Sequence, residues 1–251
     1  MTDPGPMAGP VELPPERDLA PFWSWIDVAL FAVGAPLVIA GVAVLLLVAL
    51  KSLHWQAGTA LALLGMQSLL YVAAYGLLWL ILMVRHSRSI WDALRWAVSA
   101  VTGGKLFAAG FVLAFVVALL GLALHAPIID NPIMKIMRDP VSILAVVVFA
   151  STLGPAAEEA VFRGFLQPVA TRTFGAAGGI AGTSLVFAAL HGIEYQWCWQ
   201  YLVLVFAASL AFGWTRMRWN STGASTLLHA GYNLMFFIGY LFQGRIFPTH
   251  G

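Results

Sequence analysis

Seven runs of mostly apolar residues, near 24–50, 58–84, 105–125, 141–158, 178–194, 198–215 and 221–242, take up most of this 251-residue chain. Each approaches the roughly 20 residues that a helix needs to cross the hydrocarbon of a bilayer. Inside hydrocarbon every backbone N–H and C=O must be satisfied within the segment, so runs of this length can span only as helices. The expectation is an all-α fold, a polytopic membrane helical bundle of about seven to eight transmembrane helices, the eighth being a partly embedded helix over 160–175. Composition agrees, with 61% hydrophobic and 10% charged residues, whereas soluble domains carry about 25% charged residues.

The remaining segments set the organisation. Residues 1–20 are rich in proline and acid and lack the basic start of a secretory signal, which reads as a disordered cytosolic tail. Residues 21–245 show neither an internal repeat nor a soluble domain, and read as one membrane domain. The stretch RHSRSIWDALRWAVS, 85–99, interleaves arginines with Ile90, Trp91, Leu94 and Trp96, the pattern of an amphipathic helix lying in the interface. With the N-terminus cytoplasmic, nine Lys and Arg face inward and four outward, the bias that favours this orientation. Three lysines against ten arginines, with abundant Ala and Gly, suit a GC-rich genome. The expected place is a bacterial plasma membrane. A net charge of +2 without a basic aromatic cluster argues against nucleic acid, leaving membrane lipid and a peptide or protein substrate as partners. The single cysteine, Cys198, excludes an internal disulfide and a multi-cysteine metal site.

Ionisable groups inside a bilayer are expensive and mark functional sites. Few such groups occur here: Asp27, Glu158, Glu159, Arg163, His191, Glu194 and His229, with Asn233 as a neutral companion. Asp27 opens the first span and reads as interfacial. Arg163 follows Glu159 by four residues, in the order that favours an ion pair on one helix face. Glu158 points about 100° away from Glu159 around a helix. The two carboxylates are therefore not expected to serve one site: Glu159 neutralises Arg163 and Glu158 is left for chemistry. His191 ends FAALH, and His229 and Asn233 share a face in HAGYN. Gly154-Pro155 is placed to break the fourth span ahead of Glu158. Each feature alone could be packing or interhelical glue. Together they are a carboxylate, two imidazoles and a carboxamide on three helices.

Carboxylate and imidazole serve as general bases towards water, and a peptide carbonyl under attack needs donors placed for its oxyanion. The set therefore suggests peptide hydrolysis in a membrane cavity. Glu158 and His191 would activate water, with Asn233 and His229 holding the oxyanion. Glu158, His191 and His229 are also a zinc-like ligand set, and sequence alone does not separate the two mechanisms. No metal ligand is assigned on the sequence, and zinc is the cofactor that this set would suit.

The motifs EExxxR (Glu158, Glu159, Arg163), FxxxH (Phe187, His191) and HxxxN (His229, Asn233), in this order, resemble those of the CPBP family of intramembrane proteases, which includes CAAX prenyl proteases and bacteriocin-processing proteins and is also called Abi. FRGF, FAALHG and LLHAGYN extend the resemblance, which covers about residues 140–242. It implies an all-helical membrane fold with a site open to the cytosol and with the first glutamate, Glu158, activating water. Members are described both as metalloendopeptidases and as metal-free glutamate enzymes. The expected function is an intramembrane endopeptidase acting on a membrane-associated or lipidated protein or peptide. The alternatives are a non-catalytic scaffold, chaperone or immunity protein of the same fold, and a transporter using these residues as a proton relay.

Overall fold

The computed structural model describes residues 21–52, 60–129 and 132–246. The tail expected over 1–20, like His54 and His250, lies outside them. The described chain is helical, without a strand: α1 (Trp25–Ser52), α2 (Ala60–His86), α3 (Ile90–Leu94), α4 (Ala100–Ala123), α5 (Pro132–Ile136), α6 (Pro140–Ser151), α7 (Leu153–Glu159), a π-helical turn (Ala160–Leu166), α8 (Gln167–Leu190), α9 (Trp199–Trp219) and α10 (Thr222–Ile246). Four stretches are long and apolar enough to cross a membrane: α1, α2, α4 and the 51-residue run Pro140–Leu190. Helices α9 and α10 have 21 and 25 residues, long enough at about 1.5 Å per residue to cross, but are less apolar. Outward-facing Leu37, Val72 and Leu122 are exposed by 69%, 68% and 74%, a lipid-facing pattern that no soluble monomer shows over its whole surface. The protein is an integral membrane helical bundle.

The run 140–190 is broken near Gly154-Pro155, where the sequence suggested, and at a second place that it did not. Helix α6 is capped by Asp139, whose carboxylate accepts the N–H groups of Val141 and Ser142, and it ends at Thr152 (φ −134°, ψ −81°). Pro155 explains the break, because its ring cannot sit against the carbonyl of Ser151 four residues earlier and it donates no N–H. The second interruption is Gly175 (φ 73°, ψ 173°), a backbone state open to glycine. It ends the segment expected as the 160–175 helix. The expected amphipathic helix over 85–99 is corrected to five residues of α3. Ser87 (φ 52°) and Arg95 (φ 48°) adopt left-handed conformations that stop helix on either side.

Three contacts organise the bundle. Trp23, Leu78, Leu82, Phe165 and Val169 form one core between α1, α2 and the π turn, with Trp23 Nε1–H donated to Phe165 O at 2.9 Å. Asp27 joins α1 to the end of α2. It is fully buried, accepts from Ser24 N at 2.8 Å as a reciprocal cap, and pairs with Arg85 Nε at 2.6 Å and His86 Nε2 at 3.1 Å. The largest interface is α4 against α10, where glycines let backbones touch: a Cβ on Gly110 would meet Leu228 O and one on Gly231 would meet Phe107 O. Gly231→Ala is therefore expected to destabilise the protein by about 1–3 kcal/mol through overpacking, read as a lower melting temperature in detergent. The same substitution at Gly239, where no atom lies within 4 Å of the added Cβ, should leave it unchanged.

Candidate active site

The charged groups singled out from sequence gather where α7 and the π turn meet α9 and α10. Glu159 and Arg163 are fully buried and pair at 3.1 Å between Oε1 and Nη1. Arg163 Nη2 also donates to Ser209 O at 3.1 Å and Ser209 Oγ at 2.6 Å, and its guanidinium lies 4.5 Å from the centre of the Phe187 ring. One rung further along, Gln167 Nε2 donates to Gly213 O at 2.8 Å. Arg163 and Gln167, four residues apart, thus grip carbonyls four residues apart on α9. Sequence reading missed Ser209 and Gln167. The available signal was the pair of small residues Ser209 and Gly213 on an otherwise bulky helix, spacing that lets a neighbour approach closely.

His229 corrects the expectation that Glu158 and Glu159 cannot serve one site. Its Nδ1 lies 3.0 Å from Glu159 Oε1 and its Nε2 lies 3.9 Å from Glu158 Oε2. The two carboxylates do diverge around the helix, but the two nitrogens of one imidazole diverge too, so a single ring reaches both. An ionised carboxylate can only accept, so Nδ1 carries the proton shared with Glu159 and Nε2 is turned towards Glu158. Phe212 stacks on the ring at 4.3 Å between centroids, with 19° between planes. Glu158 itself keeps 28% of its side chain exposed and makes no hydrogen bond to a described residue.

His191 stands apart from this cluster. It caps α8, and its Nδ1 lies 2.8 Å from Phe187 O. A carbonyl can only accept, so Nδ1 is the donor and Nε2 retains its lone pair. The His191 ring packs on Phe187 at 4.4 Å, and the Phe187 ring in turn meets His229 at 6.1 Å. No hydrogen bond or ion pair links His191 to Glu158 or His229. Asn233 lies one turn beyond His229 and donates Nδ2–H to Ala150 O at 2.8 Å. That carbonyl is left over by the break at Thr152, and buried helix ends need such partners. One amide hydrogen of Asn233 is therefore engaged in holding α6 to α10, and the other is free for an oxyanion. Tyr75 Oη reaches across from α2 to donate to Ala157 O, immediately before Glu158. Glu194, in the turn after α8, lies within electrostatic reach of Glu158. Among the described residues no three His, Cys, Asp or Glu side chains are close enough together to hold a metal ion. Glu158, His191 and His229, as placed, do not fit a zinc site.

A buried Glu–Arg–His network beside a partly exposed glutamate, inside a helical bundle, defines the class: a membrane-embedded helical protein with an ionisable cluster in its interior. Comparison with known families adds a partial similarity. Residues 140–235 match the family model described as type II CAAX prenyl endopeptidase Rce1-like, a similarity confined to that part of the chain and in agreement with the resemblance carried by the three motifs. Every motif residue discussed above falls within the matched segment. No curated protein and no solved structure matches the chain.

Proposed function

We propose that this protein is an intramembrane endopeptidase that hydrolyses a peptide bond of a membrane-associated or lipidated substrate, with Glu158 as the water-activating base. The observation that carries this reading is the His229 bridge, which holds a second functional group against Glu158 while burying Glu159 and Arg163 as support. Glu158 takes a proton from water as the water attacks the scissile carbonyl. His191 Nε2, its lone pair free, serves as the second base. The free amide hydrogen of Asn233 is a donor for the oxyanion, joined by His229 Nε2 when the ring, held between the two glutamates, carries a proton on both nitrogens. Glu158 returns the proton to the leaving amine, so the step is balanced without a covalent intermediate. The reading places the N-terminus in the cytoplasm of a bacterium and uses no metal.

The test is cleavage of membrane-associated and lipidated peptides by the purified full-length protein, with products mapped by mass spectrometry. His191→Ala is expected to lower kcat by about 100-fold without lowering the melting temperature, because its one hydrogen bond is local. Treatment with a chelator should leave kcat unchanged, and restoration by zinc after such treatment would favour metal hydrolysis. Unchanged biological function with both Glu158→Ala and His191→Ala would sink the enzyme reading and leave a scaffold of the same fold.

A further inference from the structure

Helix α7 carries Glu158 but has little of its own to hold that residue still. It has seven residues, Leu153–Glu159, and its N-cap residue, Thr152, makes no side-chain capping hydrogen bond. Helices this short do not keep their shape unaided. The break at Thr152 detaches α7 from α6, and at its other end the hydrogen-bond ladder changes step. Ala160 N–H is shared between Ala156 O and Ala157 O, whereas Gln167 N–H reaches back five residues to Phe162 O. A donor divided between two carbonyls leaves both open to a second one.

That second donor comes from α2. Tyr75 Oη donates to Ala157 O and lies 3.5 Å from Ala156 O, so one hydroxyl meets both carbonyls that share Ala160 N–H. Tyr71, one turn earlier on the same face of α2, stacks on Phe149 of α6 at 5.9 Å between centroids, with 13° between planes. The two tyrosines straddle the break at Thr152: one packs on the helix before it, and the other is hydrogen-bonded to the helix after it. Ala157 O belongs to the peptide unit whose nitrogen is that of Glu158. Peptide units are planar, so fixing that oxygen fixes the plane from which the Glu158 side chain departs. A side chain with no hydrogen bond of its own takes its direction from its backbone, and a misplacement of about 1 Å can cost a hundredfold in rate. A tyrosine in a membrane helix would also bond a carbonyl merely to satisfy its hydroxyl. Such a role touches stability without a selective loss of turnover, and the two are separable by experiment.

We propose that Tyr75 is a positioning residue for Glu158, holding the Ala157–Glu158 peptide in the orientation that aims the carboxylate at the attacking water. This inference rests on the peptidase reading of the site. The test compares full-length wild type, Tyr75→Phe and Tyr201→Phe in proteoliposomes. Phenylalanine keeps each ring and removes only the hydroxyl. Tyr201 is a matched control, since its Oη donates to Pro127 O at 2.9 Å, a bond of the same kind from α9 to the loop after α4. Tyr75→Phe is expected to lower kcat about tenfold with KM unchanged. Hydrogen exchange read by mass spectrometry should show the peptide covering α7 exchanging about fivefold faster, the worth of one net hydrogen bond. Tyr201→Phe should change neither quantity. An unchanged kcat in Tyr75→Phe overturns the proposal, as does an unchanged exchange rate over α7. An equal loss of kcat in Tyr201→Phe also overturns it, because the effect would then belong to any tyrosine–carbonyl bond in the bundle. Should wild type cleave no peptide, the peptidase reading fails and takes the catalytic role of Tyr75 with it, while the exchange rates still decide whether Tyr75 holds α7.

Discussion

Glu158→Gln is expected to lower kcat for peptide cleavage by at least about a thousandfold while leaving the melting temperature within a degree or so of wild type. Glutamine keeps the shape of the side chain and removes its basicity. Glu158 makes no hydrogen bond to a described residue, and its nearest charged neighbour, His229 Nε2, lies 3.9 Å away. Little structure therefore depends on its charge. Its 28% exposure shows that it lines accessible space rather than the packed interior. An effect confined to the base should fall on kcat with KM little changed. The measurement is steady-state cleavage in proteoliposomes, paired with a thermal melt of the same preparation. Activity within tenfold of wild type would remove Glu158 from the role of base.

The contrast between Glu158 and its neighbour shows what the sequence could and could not reveal. The Glu159–Arg163 pair was legible because both residues lie on one continuous helical path at a fixed spacing. The break near Pro155 was legible because proline acts locally, whereas the kink at Gly175 was not singled out among the chain's many glycines. The bridge made by His229 was not, since it depends on how α10 crosses α7, and side chains 70 residues apart meet there. Ser209 escaped notice for a related reason: its backbone carbonyl does half of the binding, and any residue type has one. Asn233 was correctly placed beside His229, but its bond to Ala150 O follows from a carbonyl that becomes available only once α6 has broken. The 85–99 segment has amphipathic periodicity over its length, yet two left-handed residues cut it short. One of them, Arg95, is held by hydrogen bonds to Thr222 that no local pattern encodes.

Arg163→Met is expected to be the most destabilising change in the site, by about 3–5 kcal/mol, because it leaves the Glu159 carboxylate buried without its cation. Methionine fills similar volume, so the loss is electrostatic in origin. It also forfeits two hydrogen bonds to Ser209 and the ring contact with Phe187. For a chain of this size the melting temperature should fall by roughly 10 °C. Glu159→Gln alone should be milder, since an amide oxygen can still accept from His229 Nδ1, although Arg163 then stays unneutralised. Combining the two substitutions removes both charges together. The pair should then be less destabilised than the sum of the single variants by about 2 kcal/mol, the sign expected of contacting residues in one network. Activity should not return with stability, because the neutral amide no longer supports a proton on the His229 ring as the oxyanion forms. Strictly additive melting shifts would show that Glu159 and Arg163 act separately, and recovery of cleavage in the double variant would show that the buried charges serve only packing.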